Sequence, residues 1–276
     1  MKANYRKHFV LAAGALAIGC AQAAGWNPET RTYDTTGYWT QRQEGWADPS
    51  FSNPSHWKNA SGETASAFDA NACLYATKFV YAKPDQDKVT SLPCKVLALS
   101  ETATLGCTGA SYFDFGSQVD LLAGASLTMY GAYFKAKGTF NFYSTEEKPN
   151  AVKIEAPTTG EDQGYFLYNV TLTGDDKAYV VLGGAKEGCT LANFNWESGD
   201  GAAFHGTLRV ANFPAAPAAC VAQLKLADIT VGGTVSLANN TRLVLTGTSG
   251  ATVSNLVMDA GSVLVGTTAE RKLTVD

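Results

Sequence analysis

Charged side chains are scarce in this 276-residue chain, and the shortage excludes structures that depend on them. Asp, Glu, Lys and Arg make up 17% of the residues, whereas soluble domains usually carry about a quarter. An amphipathic helix needs charge on its wet face, and no stretch keeps a helical period between recognisable caps. Apolar residues make up 45%, and there are 27 glycines, which favours short strands joined by many tight turns.

Residues that usually carry out catalysis are also few. Beyond the first 24 residues only two histidines occur, His56 and His205, and neither lies in a recognisable constellation of acid, base and nucleophile. The zinc-protease, serine-hydrolase and phosphate-loop motifs are absent, and no two cysteines have the C-x-x-C spacing of a redox or zinc motif. We therefore expect a protein with no catalytic residue, no metal site and no cofactor.

The balance of charge excludes nucleic acid as a partner. The formal net charge is -4, and Lys2, Arg6 and Lys7 lie in a segment that we expect to be removed. A nucleic-acid-binding protein concentrates positive charge on one face, and a membrane-surface helix does the same. Because neither pattern is present, we expect binding to neither nucleic acid nor anionic lipid.

The N-terminus has the three parts of a secretory signal peptide, which we assign to residues 1–23. Basic residues open it, an apolar run follows over 9–18, and residues 21–23 form an A-x-A cleavage site. The run is too short to span a bilayer, so we expect no transmembrane segment and an exported protein at the cell surface, in the outer membrane or outside the cell. Cys20 follows Ala-Ile-Gly, which resembles a bacterial lipobox, and a lipid anchor at this cysteine is the alternative.

Five cysteines follow the leader, and export would bring them into an oxidising compartment. They are candidates for disulfide bonds whose connectivity does not follow from the sequence: Cys73, Cys94, Cys107, Cys189 and Cys220. The alternative is that they stay buried thiols, because free cysteine packs as a small hydrophobic residue.

Aromatic residues are concentrated near the N-terminus, and we assign residues 24–94 to an aromatic-rich N-terminal cap. Four of the five tryptophans lie there: Trp26, Trp39, Trp46 and Trp57. Gly and Pro turn residues are interspersed among them. Since large rings bury area that short strands alone cannot supply, we expect a compact plug in which these rings pack together.

Short strand-like segments follow one another from Lys95, nearly all of them separated by Gly, Asn or Asp; they include 126–130, 139–143, 178–182 and 207–210. Thr-Val-Ser recurs at 234–236 and 252–254, a spacing of about eighteen residues that is typical of stacked supersecondary units. We therefore predict an all-β fold in which residues 95–276 form a parallel β-helix, or β-solenoid, with Val, Leu and Ile stacked inside. An antiparallel β-sandwich is the alternative, because it also gives short strands with regular turn signals.

One N-terminal pattern resembles a known family. Trp39-Thr40, then Asn53-Pro54 and Trp57, are similar to the W-T-G…W…N-P-x-N-W opening of autotransporter-passenger-like proteins. These are the autotransporter-associated β-strand repeat surface proteins of Gram-negative bacteria. Gln41 stands where Gly is usual and His56 where Asn is usual.

The resemblance implies a parallel β-helix stalk that serves adhesion or display, with its N-terminal segment as a cap. Passengers of this family usually continue into a C-terminal barrel, whereas this chain ends in strand-like sequence at Asp276. We therefore expect the sequence to be a fragment, with the solenoid continuing beyond its C-terminus.

These observations together predict an exported structural or adhesive surface protein without catalytic chemistry. Its expected partners are glycans or a host or matrix surface. The alternative function is that of a carbohydrate-binding module, in which aromatic rings stack on sugars. The candidate rings are Trp39, Trp46, Trp57, Tyr130 and Tyr133.

A polysaccharide-degrading β-helix enzyme is the third hypothesis. Asp175-Asp176, His205 and Arg271-Lys272 resemble, in this order, the D-D, G-H-G and R-I-K elements of pectin-degrading hydrolases. The N-T-D element of that family is absent, so protonation of the leaving group and activation of water lack one acid. Two aspartates between strands are also typical of an ordinary turn.

Overall fold

The computed structural model describes residues 25–41, 53–68, 71–82, 90–91, 94–107, 110–130, 133–155, 167–267 and 272–275. The predicted leader, the lipobox Cys20 and Trp46 lie outside these ranges. Within them the chain forms twenty-four strands and one 3-10 turn, Pro54–His56. None of the described residues belongs to a helix long and apolar enough to cross a bilayer.

The strands follow one another with short turns between most of them. The first twelve are β1 (Trp26–Asn27), β2 (Thr32–Tyr33), β3 (Trp39–Gln41), β4 (Trp57–Lys58), β5 (Cys73–Ala76), β6 (Phe79–Ala82), β7 (Thr90–Ser91), β8 (Val96–Leu99), β9 (Thr104–Cys107), β10 (Ala110–Leu122), β11 (Ser126–Met129) and β12 (Tyr133–Tyr143). The second twelve are β13 (Asn150–Ile154), β14 (Asn169–Gly174), β15 (Tyr179–Gly184), β16 (Leu191–Trp196), β17 (Ser198–Asp200), β18 (Thr207–Val210), β19 (Val221–Leu226), β20 (Thr230–Leu237), β21 (Thr241–Leu245), β22 (Ala251–Met258), β23 (Val263–Gly266) and β24 (Leu273–Val275).

Nearly all of these strands belong to one of three parallel sheets. The first sheet has the order β17-β14-β12-β10-β8-β5-β3-β4, with β7 also paired to β10; the second has the order β24-β22-β20-β18-β15-β13-β11-β9-β6; the third has the order β16-β19-β21-β23. Antiparallel pairing between the described strands is confined to the hairpin β1–β2 and the pair β3–β4. The prediction of an all-β fold is confirmed, and the antiparallel β-sandwich alternative is wrong because the large sheets are parallel.

From β8 onward, consecutive strands belong to different sheets. From β8 to β15 the chain alternates between the first and the second sheet, and from β16 onward strands of the third sheet are added. We call each strand of the second sheet, together with the strands of the other sheets that precede it in the chain since the last second-sheet strand, a rung. Successive rungs lie in parallel register, with Leu97 beside Val119 and Val119 beside Phe140.

Apolar side chains line up in columns from rung to rung. One column of the second sheet has eight members in continuous register, and the first seven are buried: Val80, Leu105, Leu127, Val152, Leu182, Val210, Leu237 and Met258. The third sheet has a shorter column from Phe194 to Leu264. Because burial of one such side chain contributes roughly 1.5–3 kcal/mol, repetition of these columns stabilises the stack.

The Thr-Val-Ser triplets do not mark the structural repeat. Val235 pairs with Leu256, whereas Val253 pairs with Val231, so the triplets occupy different positions in their rungs. The pairing register of β20 shifts at residues 232–233. Before the shift Val231 lies beside Gly201, and after it residues 234–237 pair with β18 of the second sheet. The predicted repeat of about eighteen residues is therefore wrong, because turns of unequal length separate the paired strands.

The parallel ladder already includes strands upstream of Lys95. Trp39 lies beside Leu74, and Leu74 lies beside Leu97. The strands β3 and β5 therefore continue the first sheet in the same register as β8. Part of the region that the sequence assigns to a cap thus contributes rungs of its own.

The segment of residues 25–38, which we call the strap, lies along the outer face of the first sheet. Trp26 stacks on Tyr143 of β12, with ring centroids 4.4 Å apart. The hydroxyl of Tyr33 donates a hydrogen bond to Asp120 of β10 at 2.5 Å. The strap therefore crosses several rungs and covers side chains that would otherwise face solvent.

Candidate functional site

Two of the predicted sugar-binding rings lie together at the start of the first sheet. Trp57 pairs with Gln41, two residues beyond Trp39. It is completely buried and meets Phe68 edge-on, with ring centroids 6.5 Å apart, so neither face of its ring is open to a ligand. Trp39 is partly buried against the same core cluster. In this structure both rings pack at the beginning of the stack.

Tyr130 lies elsewhere, directly after β11 of the second sheet. It is 37% exposed, and its ring meets that of Phe79 edge-on at 6.2 Å between centroids. The two rings close over Gly106, where a Cβ atom would lie 2.6 Å from the Phe79 ring. Tyr133 belongs to β12, but its side chain, like Trp46, lies outside the described part of the chain. Trp39 and Trp57 therefore do not form one site with Tyr130.

None of the five described cysteines forms a disulfide bond in this structure. Cys73 is partly exposed, and the other four are buried. Burial raises the pKa of Cys94 to about 12 and also raises the pKa of Cys107. Since the thiolate is the reactive form, these buried thiols are poor nucleophiles in the folded chain.

The residues that resemble a pectin-degrading site fall on neighbouring rungs. The backbone N–H of His205 donates to the carbonyl of Gly174 at 2.9 Å, which brings His205 next to the strand that ends before Asp175. The carboxylate of Asp175, however, accepts a hydrogen bond from the guanidinium of Arg31 in the strap. Arg271 lies outside the described residues. Of the two acids in this set, Asp175 is thus engaged in a contact that holds the strap.

A cleft of about 320 Å³ on the outer face of the second sheet contains none of the predicted sugar-binding rings. We call it the Tyr179 cleft, and it is lined by Thr145, Glu146, Glu147, Asp176, Lys177, Ala178, Tyr179 and Thr207. The turn after β12 and the turn between β14 and β15 form its walls. Tyr179 and Thr207 begin the adjacent strands β15 and β18 and lie side by side, so the floor of the cleft is the sheet itself.

Ser144 fixes the position of Tyr179. Its hydroxyl donates to the carbonyl of Tyr179 at 2.8 Å and accepts from the N–H of Tyr179 at 3.0 Å. Ser144 is fully buried, and its own carbonyl accepts a hydrogen bond from Arg31 of the strap at 3.0 Å. The aromatic floor of the cleft is therefore held in place before any ligand arrives, which lowers the entropy cost of binding.

Acidic side chains dominate the walls of the Tyr179 cleft. Three carboxylates accompany one ammonium group: Glu146, Glu147, Asp176 and Lys177. Burial raises the pKa of the Tyr179 hydroxyl, an effect that Arg209 partly offsets. At neutral pH this hydroxyl is therefore protonated and can both donate and accept hydrogen bonds.

An aromatic ring, hydroxyls and carboxylates around an open cleft can bind a sugar. The ring offers an apolar face for the C–H side of a pyranose, while the carboxylates accept hydrogen bonds from its hydroxyls. The excess of acids disfavours uronic acids, because like charges repel. Across the described ranges, no three His, Cys, Asp or Glu side chains lie close enough together to hold a metal ion.

A second polar centre lies beneath the strap. The carboxylate of Asp120 is 1% exposed and accepts hydrogen bonds from Tyr33 at 2.5 Å, Gln118 at 2.7 Å and Asn141 at 2.6 Å. The hydroxyls of Tyr33 and Tyr38 are hydrogen-bonded to each other at 2.9 Å. Because a buried carboxylate needs such partners, we regard this cluster as the anchor of the strap.

The fold and these two centres define an all-β protein built of parallel sheets, with an acidic cleft that has an aromatic floor and a strap that is anchored on the first sheet. No family model, curated protein or solved structure matches the chain. Any functional assignment therefore depends on the residues of the chain itself.

Proposed function

We propose that this chain is part of an exported structural or adhesive surface protein whose rungs wind into a parallel β-helix. The observation that carries the proposal is the column of eight apolar side chains that runs through the second sheet in unbroken parallel register. Such a column, together with strands that pass from sheet to sheet, is typical of a solenoid in which each rung covers the apolar face of the one before.

The outward residues support a role in display. Inward positions repeat Val, Leu and Phe, whereas the outer surface varies from rung to rung and carries the strap and the Tyr179 cleft. A scaffold of this kind separates stability from recognition, because the stacked core tolerates changes in the turns. An adhesive surface protein needs this combination of a rigid body and a variable surface.

The stacking of the rungs is tested by a distance between two outward positions of the second sheet. Thr104 and Val257 are connected through Ser126, Ala151, Val181, Arg209 and Ser236 by six steps of strand pairing. At about 4.8 Å per step, spin labels at these two positions should lie about 29 Å apart. A label at Arg209 in place of Val257 should shorten the distance to about 19 Å. Equal distances for the two pairs would contradict the stacked arrangement.

Export is tested with the intact chain in a Gram-negative host. We expect the protein outside the cytoplasm with Ala24 as its first residue, because residues 21–23 provide the cleavage site. The control variant Ala23→Arg should keep its leader. If the protein is instead anchored by lipid, Cys20→Ser should release it from the membrane fraction. Uncleaved protein in the cytoplasm would contradict export.

A second candidate function is glycan binding, which the Tyr179 cleft favours. The charge of its walls suits neutral or amino sugars rather than uronates. On an array that carries all three classes, the protein should bind the first two, and Tyr179→Ala should abolish binding. Tyr168→Ala removes another partly buried ring, outside the cleft, and should leave binding unchanged. New reducing ends on the same glycans, lost in Asp175→Ala, would instead support the enzyme hypothesis.

A further inference from the structure

Two cysteines distant in sequence meet in the interior. The sulfur atoms of Cys189 and Cys220 lie 3.4 Å apart, and both residues are almost completely buried. Cys189 precedes β16 and Cys220 precedes β19, which are paired strands of the third sheet. We propose that Cys189 and Cys220 form a disulfide bond in the oxidised protein and thereby join two successive strands of this sheet.

The surroundings of the two sulfur atoms leave room for this bond. Gly184 lies against both of them, and a Cβ atom there would stand 2.8 Å from the sulfur of Cys220 and 3.0 Å from that of Cys189. The amide of Asn212 donates to the carbonyl of Cys220 at 2.6 Å, and the amide of Asn240 donates to the same carbonyl at 2.8 Å. Cys220 is thus held by its backbone carbonyl. The lack of a side chain at Gly184 leaves space for the two sulfur atoms.

The backbone spacing is compatible with a disulfide. The N–H of Val221 donates to the carbonyl of Thr190 at 3.1 Å, so the segments that carry the two cysteines lie on adjacent strands. Neighbouring strands are about 4.8 Å apart, within reach of the ~4.4–6.8 Å that a disulfide requires between Cα atoms. The sulfur atoms need to approach by only about 1.4 Å to reach the S–S length.

The reaction requires an external oxidant, which we take to be a disulfide such as oxidised glutathione or a disulfide oxidase. The thiolate of one cysteine attacks the oxidant and forms a mixed disulfide, and one thiol of the oxidant leaves. The thiolate of the second cysteine then attacks the protein sulfur, and the second thiol leaves. Two electrons and two protons pass to the oxidant, which is reduced to two thiols, and the S–S bond forms.

Burial of the two thiols indicates at which stage of folding the disulfide bond forms. Hydrogen bonding to Cys189 and burial both raise the pKa of Cys220, so the folded chain contains little thiolate at this position. We therefore expect the bond to form while the third sheet is still assembling. The proposal depends on the geometry of the sulfur pair and not on the proposed function, although an exported chain would meet a suitable oxidant.

Peptide mapping tests the pairing. The full chain is reduced in denaturant, refolded with oxidised and reduced glutathione, unfolded again in denaturant that contains the alkylating reagent, and digested with trypsin without reduction. Each cysteine after the leader falls in its own tryptic peptide, with Cys189 in 187–209 and Cys220 in 210–225. We expect these two peptides to appear joined, with a mass lower by two hydrogens than their sum and with both alkyl groups missing.

Two variants serve as controls. Cys220→Ser should eliminate the joined species and leave Cys189 alkylated, whereas Cys107→Ala removes another buried thiol and should leave the joined peptides unchanged. The same oxidation of the chain kept in urea gives the random pairings with which the refolded sample is compared. Full alkylation of both cysteines after refolding, or pairing no different from that in urea, would overturn the proposal.

Discussion

At the scale of single residues, the strap depends on the buried carboxylate of Asp120. Three hydrogen bonds converge on it, from Tyr33 on the strap and from Gln118 and Asn141 on the sheet. Tyr33 is separated from Asp120 by 87 positions, so no local pattern in the sequence connects them. This contact could therefore not be predicted: the aromatic content of the N-terminal region suggested that its rings pack together, whereas Trp26 stacks on Tyr143 of the sheet.

Replacing Asp120 with Ala should loosen the strap and destabilise the chain. Buried donors that lose their acceptor cost about 1–3 kcal/mol, so we expect the free energy of unfolding to fall by roughly 2–3 kcal/mol. Urea denaturation measures the loss, and the fluorescence of Trp26, stacked on Tyr143, reports on the strap. Asp176→Ala, at an exposed turn, should change stability by less than about 0.5 kcal/mol. Equal losses in the two variants would contradict this account.

The same carboxylate should make stability depend on pH. Burial raises the pKa of Asp120, although hydrogen bonds from Tyr33 and Asn141 oppose the effect. The folded chain therefore keeps the proton to a higher pH than the unfolded chain, in which the pKa is about 3.9. Between these two pKa values the unfolded state binds fewer protons, so this contribution to the free energy of unfolding falls as pH rises.

The measurement compares the natural chain with Asp120→Asn, which cannot titrate. Urea unfolding from about pH 4 to about pH 8 should show the natural chain losing stability relative to the variant as pH increases. A difference that stays constant, or that grows in favour of the natural chain, would show that burial does not dominate at Asp120.

At the scale of strands, each apolar side chain of a column is buried by the column members on the two neighbouring strands. Leu243 is fully buried between Leu224 and Leu264 of the third sheet, whereas Leu264 is 42% exposed. Leu243→Ala should cost about 2–5 kcal/mol, because it leaves a cavity in a stacked core. Leu264→Ala removes the same atoms from the same column and should cost less than about 1 kcal/mol, because much of that surface already meets water. If urea denaturation showed comparable losses in the free energy of unfolding for the two variants, burial by neighbouring column members would not be what stabilises these strands.

The positions of the strands could largely be predicted from the sequence, whereas the pairing between strands could not. Val, Leu and Thr between Gly, Asn and Asp indicated strands at 126–130, 139–143 and 207–210, and the structure has strand at 126–129, 139–143 and 207–210. The register depends on turn lengths, so the recurrence of Thr-Val-Ser suggested a repeat that the pairing of Val235 with Leu256 contradicts. Tyr179 fell within a predicted strand, but its cleft also requires the turn after β12 and Thr207 of β18, and no pattern in the sequence connects these with Tyr179.

At the scale of the whole molecule, contacts are mostly between successive rungs, and the end of the stack differs from its middle. The large apolar side chains that are exposed at that end belong to the last rungs: Val257, Met258, Val263, Leu264 and Val275. Residues 255–258 pair with β20 on one side, and no strand among the described residues pairs with them on the other. Since a stacked protein is stabilised by nearest-neighbour interfaces, this rung has about half of the interface that supports β18.

Amide hydrogen exchange should therefore vary along the stack. Peptides from β18, which lies between β15 and β20, should exchange most slowly, and peptides that cover 255–258 should exchange fastest among the strands of the second sheet. Opening of residues 255–258 disrupts their pairing with β20 alone, whereas opening of β18 disrupts pairing with both β15 and β20. Val210→Ala, in the middle of the column, should speed exchange on both of its neighbouring strands, while Met258→Ala at the end should affect only β22. If all strands instead exchanged at one common rate in every variant, the chain would unfold as a single cooperative unit, and the one-dimensional account of its stability would be wrong.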